Sequence, residues 1–479
     1  MFLFSIFFIF LLAAFLIYYS VSNKYKSLVL LSFSMAFIAA FSFEAALFSF
    51  LFTLLNYFLG LLLEKSRNKP TFRVKLFWIV IILDVGFLAF FKYINLFSEG
   101  INSMLSVLHF QTSLPDVAII KPIGISYYTF QALGYIIRIN RGSENAEHDF
   151  AVFGTYLLFF PRFLSGPVER SNHFMPQIKK PVAFDREHVN QGARLFLWGL
   201  FKKIVIANNL YAPIAEVYNG VEHYTGISLI IVLIVQSIFI YCDFSGYTDM
   251  ALGVANIFGI KLIDNFNRPF LARNISEFWR RWHISLSSWC NDFIYNPFII
   301  KYRRSGNLAV IAGIFLTFFV VGIWHGANWT FVILGILQGA AIVYEFYTKP
   351  FRLKLAANFQ KATVNTFSRL IVFLFMSVSM VFFFSKSVSD AWYFLTHLVS
   401  GVAFDFNVIS FIAHKEAFLF ALFCFAILFV IEMLNEKGKK LLPLYLKQPF
   451  WIRWSGYFTC MLLIYLFYSG IGTFYYMRF

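Results

Sequence analysis

Residues 308–346 read LAVIAGIFLTFFVVGIWHGANWTFVILGILQGAAIVYEF, two apolar runs separated by the short segment HGAN. An α-helix needs about 20 apolar residues to cross the hydrocarbon core of a bilayer. The runs 308–324 and 329–346 approach that length, so the stretch predicts two membrane helices with a tight connection at His325. Only helices and closed barrels satisfy the backbone hydrogen bonds in lipid, which makes this pattern decisive for the fold.

The same apolar pattern recurs along most of the chain. The other runs that meet or approach a membrane crossing are 1–20, 27–63 (two crossings, with Glu44 near the turn), 76–97, 119–137, 195–217, 227–241, 370–384, 417–433 and 456–468. The first run lacks a basic n-region and a small-residue cleavage site, which favours a first membrane helix over a cleaved signal peptide. We therefore predict an all-α polytopic membrane protein with about 11 or 12 crossings, built as a single membrane domain over residues 1–479.

The composition excludes most soluble classes of protein. Hydrophobic residues make up 59% of the 479 residues and charged residues 13%, against roughly 45–50% and about 25% in a typical globular chain. So few charges could not cover a soluble surface, and the same numbers exclude a disordered chain, a coiled coil and a disulfide scaffold. The cysteines are far apart and have no spacing suited to zinc, which predicts core residues and no metal site. They are Cys242, Cys290, Cys424 and Cys460.

The net charge of +16 is distributed in short basic clusters between the apolar runs. This placement is typical of cytoplasmic loops that face anionic lipid, and it disfavours a nucleic-acid partner. The N-terminus is then predicted to face outward. The clusters lie in 24–26, 65–75, 162–203, 301–304, 349–361 and 437–447.

Two segments do not fit plain crossings. Residues 159–186 contain FPRFLSGPVER, whose prolines and glycine prevent a continuous helix. Residues 264–301 are too charged to cross lipid and too aromatic for a solvated loop. Both are predicted to be re-entrant or interfacial, with their backbone covered by protein or water.

Residues 278–293, FWRRWHISLSSWCNDF, show two faces at helical spacing. The apolar face consists of Trp279, Trp282, Leu286, Trp289 and Phe293, and the polar face of Arg280, His283, Ser287 and Asn291. The spacing predicts one amphipathic helix. That helix either anchors the chain at the membrane interface or presents His283 to a polar tunnel.

His325 lies between two apolar runs and is flanked by Gly322 and Gly326, which would allow a substrate or another helix to approach closely. An ionisable residue at membrane depth is costly and by default indicates a functional site. A neutral histidine there could accept a proton near pH 7, or it could form a hydrogen bond between helices.

A third polar patch is DFSGYTD at 243–249. Buried carboxylates need a partner, so Asp243 and Asp249 predict a structural ion pair in preference to direct catalysis. Arg268, Arg280 or Arg281 could supply the positive charge. Motifs of serine hydrolases, ATPases, dinucleotide enzymes and zincins are absent from the sequence.

Seven segments form a set, namely KPIGISYYTFQ (121–131), LSGP (164–167), GLFKK (199–203), DFSGYTD (243–249), NFNRPF (265–270), FWRRWHISLSSW (278–289) and GIWHGANWTF (322–331). Together they resemble the membrane-bound O-acyltransferase family, in particular its bacterial branch around alginate O-acetylation. The closing FYYMRF (474–479) is similar to the family's aromatic tail. The matching segments span residues 121–345, which we take as the catalytic core.

The resemblance implies a helical bundle around a central tunnel, which an acyl donor enters from the cytoplasmic side and an acceptor from outside. It implies that His325 is the catalytic histidine and His283 a second functional position. Further tunnel or substrate-binding candidates are Asn328, Asp243, Ser287, Trp324 and Arg280. Asn328 or a protonated His283 would stabilise the developing oxyanion.

The resemblance further implies an enzyme of the bacterial cytoplasmic membrane that moves acetyl groups for O-acetylation of a surface or secreted polysaccharide, alginate-like or peptidoglycan. It implies no tightly bound cofactor, with acetyl-CoA or a carrier-bound acyl thioester as donor and an extracytoplasmic protein as partner. The segment NPFIIKYRR at 296–304 departs from the glycine-rich basic turn of the alginate branch and leaves the acceptor open. The alternatives are D-alanyl transfer to teichoic acid, a transporter or flippase, and a non-catalytic scaffold.

Overall fold

A computed structural model describes residues 2–110, 112, 114, 122–400, 412, 414–468 and 475. Within these residues the chain is helical, and Phe266 and Trp282 form an isolated antiparallel bridge. The predicted core begins at Lys121, which lies outside the described residues, as do 119–120 at the start of the predicted run 119–137. Of the closing segment 474–479, the structure describes Tyr475.

The described residues form twenty α-helices. In chain order they are α1 Phe2–Ser20, α2 Lys26–Phe41, α3 Phe43–Lys65, α4 Pro70–Val107, α5 Ile125–Asn140, α6 Phe150–Leu158, α7 Ser171–Lys179, α8 Arg186–Phe201, α9 Asn208–Asn219, α10 Ile227–Ile257, α11 Ile275–Trp279, α12 Ile284–Cys290, α13 Asn296–Lys301, α14 Asn307–His325, α15 Trp329–Ala356, α16 Lys361–Phe384, α17 Val388–Thr396, α18 Lys415–Glu436, α19 Leu441–Leu446 and α20 Phe450–Leu466. Two π-helical segments, Lys202–Ala207 and Asn291–Tyr295, follow α8 and α12.

Eight helices of the described residues are long and apolar enough to cross a membrane, namely α2, α3, α4, α10, α14, α15, α16 and α18. The polytopic all-α fold is thereby confirmed. The predicted 11 or 12 crossings exceed this number because several apolar runs fold into shorter helices. The run 195–217, for example, is divided among α8, a π-helical segment and α9.

The run 27–63 forms two helices as predicted. The chain breaks at Ser42, whose backbone is extended and whose hydroxyl accepts a hydrogen bond from the Ala45 N–H at the start of α3. This is the ordinary N-cap arrangement. Glu44 lies in the first turn, where a carboxylate is stabilised by the helix dipole.

The chain divides into two compact units, Met1–Phe196 with Ala251–Ile263, and Leu197–Met250 with Asp264–Phe479. In the first unit the predicted irregular segment 159–186 contains α7 as its regular helix. Its Arg162 is 1% exposed and donates to the Gln131 side chain and the Tyr156 carbonyl. These hydrogen bonds show how a charged, proline-rich segment stays inside the unit.

All predicted site residues belong to the second unit. Two of its helices, α14 and α15, are antiparallel neighbours joined at residues 326–328. That hairpin and the segment 264–301 carry the residues described next.

Candidate active site

Small residues set how closely α14 and α15 approach each other. A Cβ atom added to Gly322 would overlap the carbonyl oxygen of Phe331, and one added to Gly335 would overlap that of Phe318. A Cβ on Gly326 would collide with the Phe331 ring. On the side where a Cβ atom would lie, the space beside these glycines is occupied by α15, so the helix is the partner that approaches closely there.

This close approach gives a testable prediction about stability. Gly335→Ala is expected to destabilise the protein by about 1–3 kcal/mol, since the new methyl group has to displace backbone. Gly86→Ala, inside α4 and with no atom within 4 Å of the point where its new methyl group would lie, is the matched control and is expected to be neutral or stabilising by up to about 1 kcal/mol. The measurement is the melting temperature of the two variants in detergent. Equal melting temperatures would contradict the tight packing.

His325 is the last residue of α14 and is 5% exposed. Its Nδ1 lies 2.6 Å from the carbonyl oxygen of Val321. A carbonyl oxygen can only accept, so Nδ1 carries the hydrogen and the neutral ring has its lone pair on Nε2. The helix thus fixes the tautomer that leaves Nε2 as the proton acceptor.

His283 is fully buried and lies between α11 and α12. Its φ of 45° places it in the left-handed region, which costs a residue with a Cβ about 1–3 kcal/mol. The prediction of one continuous helix over 278–293 is therefore wrong. The chain leaves the helix because 265–267 pair with 281–284, through the hydrogen bonds Asn267 N to Arg281 O (2.9 Å) and Ile284 N to Asn265 O (3.0 Å).

Asn265 holds this turn, and helical spacing alone does not identify it as a site residue. Its Oδ1 accepts from the Ser285 N–H at 3.2 Å and the Ser285 hydroxyl at 2.7 Å, and it lies 3.3 Å from His283 Nδ1. The backbone donor identifies this atom as the oxygen, so His283 Nδ1 is the donor. The signal available in the sequence was the segment NFNRPF, close before RWHIS.

The two histidines come together in the structure. Their ring centroids are 6.4 Å apart, and Trp324 contacts both, at 5.6 Å from His283 and 5.1 Å from His325. Burial lowers the pKa of His283 well below its usual range, and the nearby His325 lowers that pKa further. This direction opposes the protonated His283 that was expected as an oxyanion stabiliser.

A small cavity of about 20 Å³ adjoins His325. A volume of this size holds about one water-sized group. Its lining consists of Ile240, Trp279, Trp282, Phe318, Val321, Gly322, His325, Leu334, Gly335, Gln338, Met380 and Phe383. None of these described residues is Asp or Glu, so the cavity suits a small uncharged group.

A second cavity of about 1540 Å³ shares Trp279, Phe318 and Val321 with the small one. The predicted polar positions Arg280 and Ser287 line it together, as does Asn291. The polar face predicted for 278–293 thus exists without His283, because the chain turns at that residue.

Three basic residues line the large cavity, namely Arg280, Lys349 and Arg352. Glu345, the one carboxylate among the described lining residues, accepts hydrogen bonds from the backbone of Ile275 (2.6 Å) and Ser276 (3.2 Å) at the start of α11. Ion pairs of Arg280 or Lys349 are absent from the described part of the chain. The cavity therefore carries an excess of positive charge.

The partners predicted for the carboxylates of 243–249 are wrong. Lys203 Nζ lies 2.5 Å from Asp243 Oδ1, and Lys202 Nζ lies 2.7 Å from Asp249 Oδ2. Asp243 Oδ2 also accepts from the Tyr475 N–H at 3.0 Å. The expected structural role of Asp243 agrees with these contacts, and Asp243 lines neither cavity.

The arginines expected as partners of these carboxylates lie elsewhere. Arg268 and Arg281 both pair with Glu436, at 3.3 and 2.8 Å. Arg280 lines the large cavity. The two lysines that pair with Asp243 and Asp249 belong to the π-helical segment that follows α8.

Asn328 is the N-cap of α15. Its side chain accepts from the Thr330 N–H at 3.1 Å and donates to the Lys386 carbonyl at 2.7 Å. These contacts give the amide a helix-capping role, and the oxyanion role expected for it stays a prediction. Among the described residues, no three His, Cys, Asp or Glu side chains come together as a possible metal site.

Comparison with known proteins places these residues in a family. The family model of the membrane-bound O-acyltransferases matches residues 2–385. The chain is 31% identical over 380 residues to the probable alginate O-acetylase of Pseudomonas aeruginosa, covering 78% of this chain and 70% of that protein. It is 33% identical over 368 residues to the peptidoglycan O-acetyltransferase of Helicobacter pylori, covering 70% and 66%.

A third relative acts with a different acyl group. The teichoic acid D-alanyltransferase of Bacillus subtilis is 30% identical over 251 residues, covering 50% of this chain and 63% of that protein. The family match extends over most of the chain and includes both histidines and all of α14. The chain therefore belongs to the membrane-bound O-acyltransferase family and is a multi-pass membrane O-acyltransferase.

Proposed function

We propose that the protein transfers acetyl groups from a cytoplasmic thioester donor for O-acetylation of a surface or secreted polysaccharide, in the cytoplasmic membrane of a bacterium. The observation that carries the proposal is the fixed tautomer of His325 beside the small cavity. Two of the relatives reported above are named as O-acetylating proteins, one for alginate and one for peptidoglycan.

The proposed chemistry uses His325 as a general base. As the acceptor hydroxyl oxygen attacks the thioester carbonyl carbon, Nε2 takes the hydroxyl proton, a step worth roughly 10² to 10⁴ in rate. The tetrahedral intermediate then collapses, the C–S bond breaks, and the imidazolium returns the proton to the leaving sulfur. Neither bond change requires a covalent enzyme intermediate. His283, held by Asn265 and packed on Trp324, is the proposed positioning residue for this base.

The large cavity is the proposed donor site. Arg280, Lys349 and Arg352 give it the charge that attracts the phosphates of a coenzyme A or carrier-protein thioester. The residues that it shares with the small cavity mean that the two cavities adjoin, which would bring the thioester end of such a donor close to His325. The final acceptor is proposed to be a polysaccharide, reached directly or through an extracytoplasmic partner protein.

The lining of the small cavity favours acetyl over D-alanyl. A D-alanyl group carries an ammonium, and burying a charge without a partner is costly. The described lining residues offer no carboxylate to pair with it. The acetyl methyl group, by contrast, is compatible with Leu334, Met380 and Phe383.

The test is transfer of labelled acetyl groups by the purified protein in nanodiscs. Separate reactions supply acetyl-CoA, an acetylated carrier protein, or a D-alanylated carrier protein, and the label is followed into added polysaccharide or protein. Transfer from an acetyl donor supports the proposal and names the donor. Transfer from the D-alanyl donor alone would overturn it in favour of D-alanylation.

Cavity size also predicts which acyl chains are accepted. One methylene that does not fit costs about 1–3 kcal/mol, or roughly 10- to 200-fold in specificity, so the wild-type protein should prefer acetyl over butyryl by about 10² or more. Leu334→Ala enlarges the cavity and is expected to reduce this preference by about 10-fold or more. Ile336→Ala, on the exposed face of the same helix, is the control and should leave the ratio unchanged. Competition between acetyl and butyryl thioesters measures this ratio. An unaltered ratio in Leu334→Ala would contradict the placement of the acyl group in the small cavity.

A further inference from the structure

Besides His325 and the tryptophan indoles, the described lining of the small cavity includes one uncharged polar side chain. It is Gln338 of α15, which is 2% exposed. The sequence pattern gave it no role. Gln338 and His325 line the same small cavity of about 20 Å³.

Two hydrogen bonds fix the orientation of the Gln338 amide. Its Oε1 accepts from Trp279 Nε1 at 3.1 Å, and because an indole N–H can only donate, this atom is the oxygen. The Nε2 atom lies 2.9 Å from Ser379 Oγ. The Ser379 hydroxyl lies 2.9 Å from the Met376 carbonyl and gives its own proton there, so its oxygen is the acceptor for Gln338.

These contacts use one of the two hydrogens on Nε2. An amide nitrogen has two donors, and the second remains for another acceptor. Burial of a polar side chain is costly unless its polar atoms are hydrogen-bonded, so a rigidly held amide that keeps a donor beside the reactive histidine is suited to a ligand oxygen.

We propose that the second N–H of Gln338 binds the thioester carbonyl oxygen of the acyl donor and stabilises the oxyanion that forms there. This inference rests on the proposed function and assigns a catalytic residue to it. In the step, the π electrons of the carbonyl move to that oxygen as the acceptor oxygen adds to carbon. When the C–S bond breaks, they return to form the ester carbonyl, and Gln338 neither gains nor loses a proton.

Gln338→Leu tests the proposal, because leucine is of similar size and has no donor. Removing one preorganised oxyanion donor lowers kcat by roughly 10²- to 10³-fold, and we expect this loss with little change in KM for acetyl-CoA. Ser379→Ala is the matched control. It removes one of the two hydrogen bonds of Gln338, outside the cavity lining, and is expected to reduce kcat by less than about 10-fold, since the Trp279 N–H still binds the amide oxygen and the net contribution of one neutral hydrogen bond is small.

The outcomes distinguish the hypotheses. Acetyl transfer by wild type with a selective kcat loss in Gln338→Leu supports the inference. Equal losses of kcat in Gln338→Leu and Ser379→Ala would show that the Gln338 amide has only a structural role and would overturn the inference. In that case the activity of the wild-type protein would still support the proposed function. No transfer by folded wild type would count against the proposed function itself. Gln338→Met repeats the test if the leucine variant does not fold, and failure of both to fold would make Gln338 a folding determinant and overturn the catalytic role.

Discussion

His325→Gln is expected to lower acetyl transfer by roughly 10²- to 10⁴-fold while the protein stays folded. Glutamine is similar in length to histidine, and its amide can still donate to the Val321 carbonyl that now binds Nδ1. What it lacks is the basic lone pair of an imidazole nitrogen, because the lone pair of an amide nitrogen is delocalised into the carbonyl. The packing of α14 against α15 is expected to stay in place in this variant. A lower transfer rate therefore reports the loss of the base.

The measurement is the initial rate of label transfer in nanodiscs, with the melting temperature taken on the same samples. His223→Gln is the matched control, because its side chain is 76% exposed and the substitution is chemically the same. A wild-type rate in His325→Gln would refute the role of this histidine as general base. A matching loss in His223→Gln would show that the assay responds to preparation and not to the site.

The sequence predicts the parts of the site that depend on local pattern. Apolar runs around 325 require two helices, and the break between them places His325 at the end of α14. The extended Ser42 between α2 and α3 is a similar case, where a capping residue interrupts a run long enough for two crossings. Both features follow from helix length and backbone hydrogen bonding over a few neighbouring residues.

Other parts depend on contacts between distant residues, and pattern alone could not give them. The spacing of 278–293 is that of one helix, yet the pairing of 265–267 with 281–284 forces His283 into the left-handed region. Helical periodicity carries no information about that pairing. Only the position of Asn265 in NFNRPF pointed toward it.

The identity of ion-pair partners shows the same limit. Charge balance requires a cation for Asp243, but three arginines and two lysines were chemically suitable. The deciding factor is the contact of α10 with the last residues of α8 and the π-helical segment Lys202–Ala207 that follows them. There Gly199 and Gly246 approach so closely that an added Cβ would overlap backbone. That approach brings Lys203 beside Asp243.

Lys203→Met is expected to destabilise the protein by about 3–5 kcal/mol, the cost of breaking a buried ion pair from one side. Lys203 and Asp243 are 3% and 0% exposed at their side chains. Methionine keeps the length of the lysine stem but removes the ammonium that compensates the carboxylate. Lys24→Met, at an exposed position, is the matched control, and the apparent melting temperature in detergent compares the two.

A double variant separates charge compensation from simple packing. Lys203→Met with Asp243→Leu removes both charges, and replacing a buried pair by apolar side chains is often neutral or stabilising. We expect the double variant to recover most of the lost melting temperature. It should fall short of wild type because the part-buried Tyr475 N–H loses its carboxylate acceptor, at up to about 1–3 kcal/mol, the cost of a fully buried donor left unsatisfied. A double variant as unstable as the sum of the two single variants would contradict this account, because it would mean that each side chain stabilises the fold independently of the other's charge.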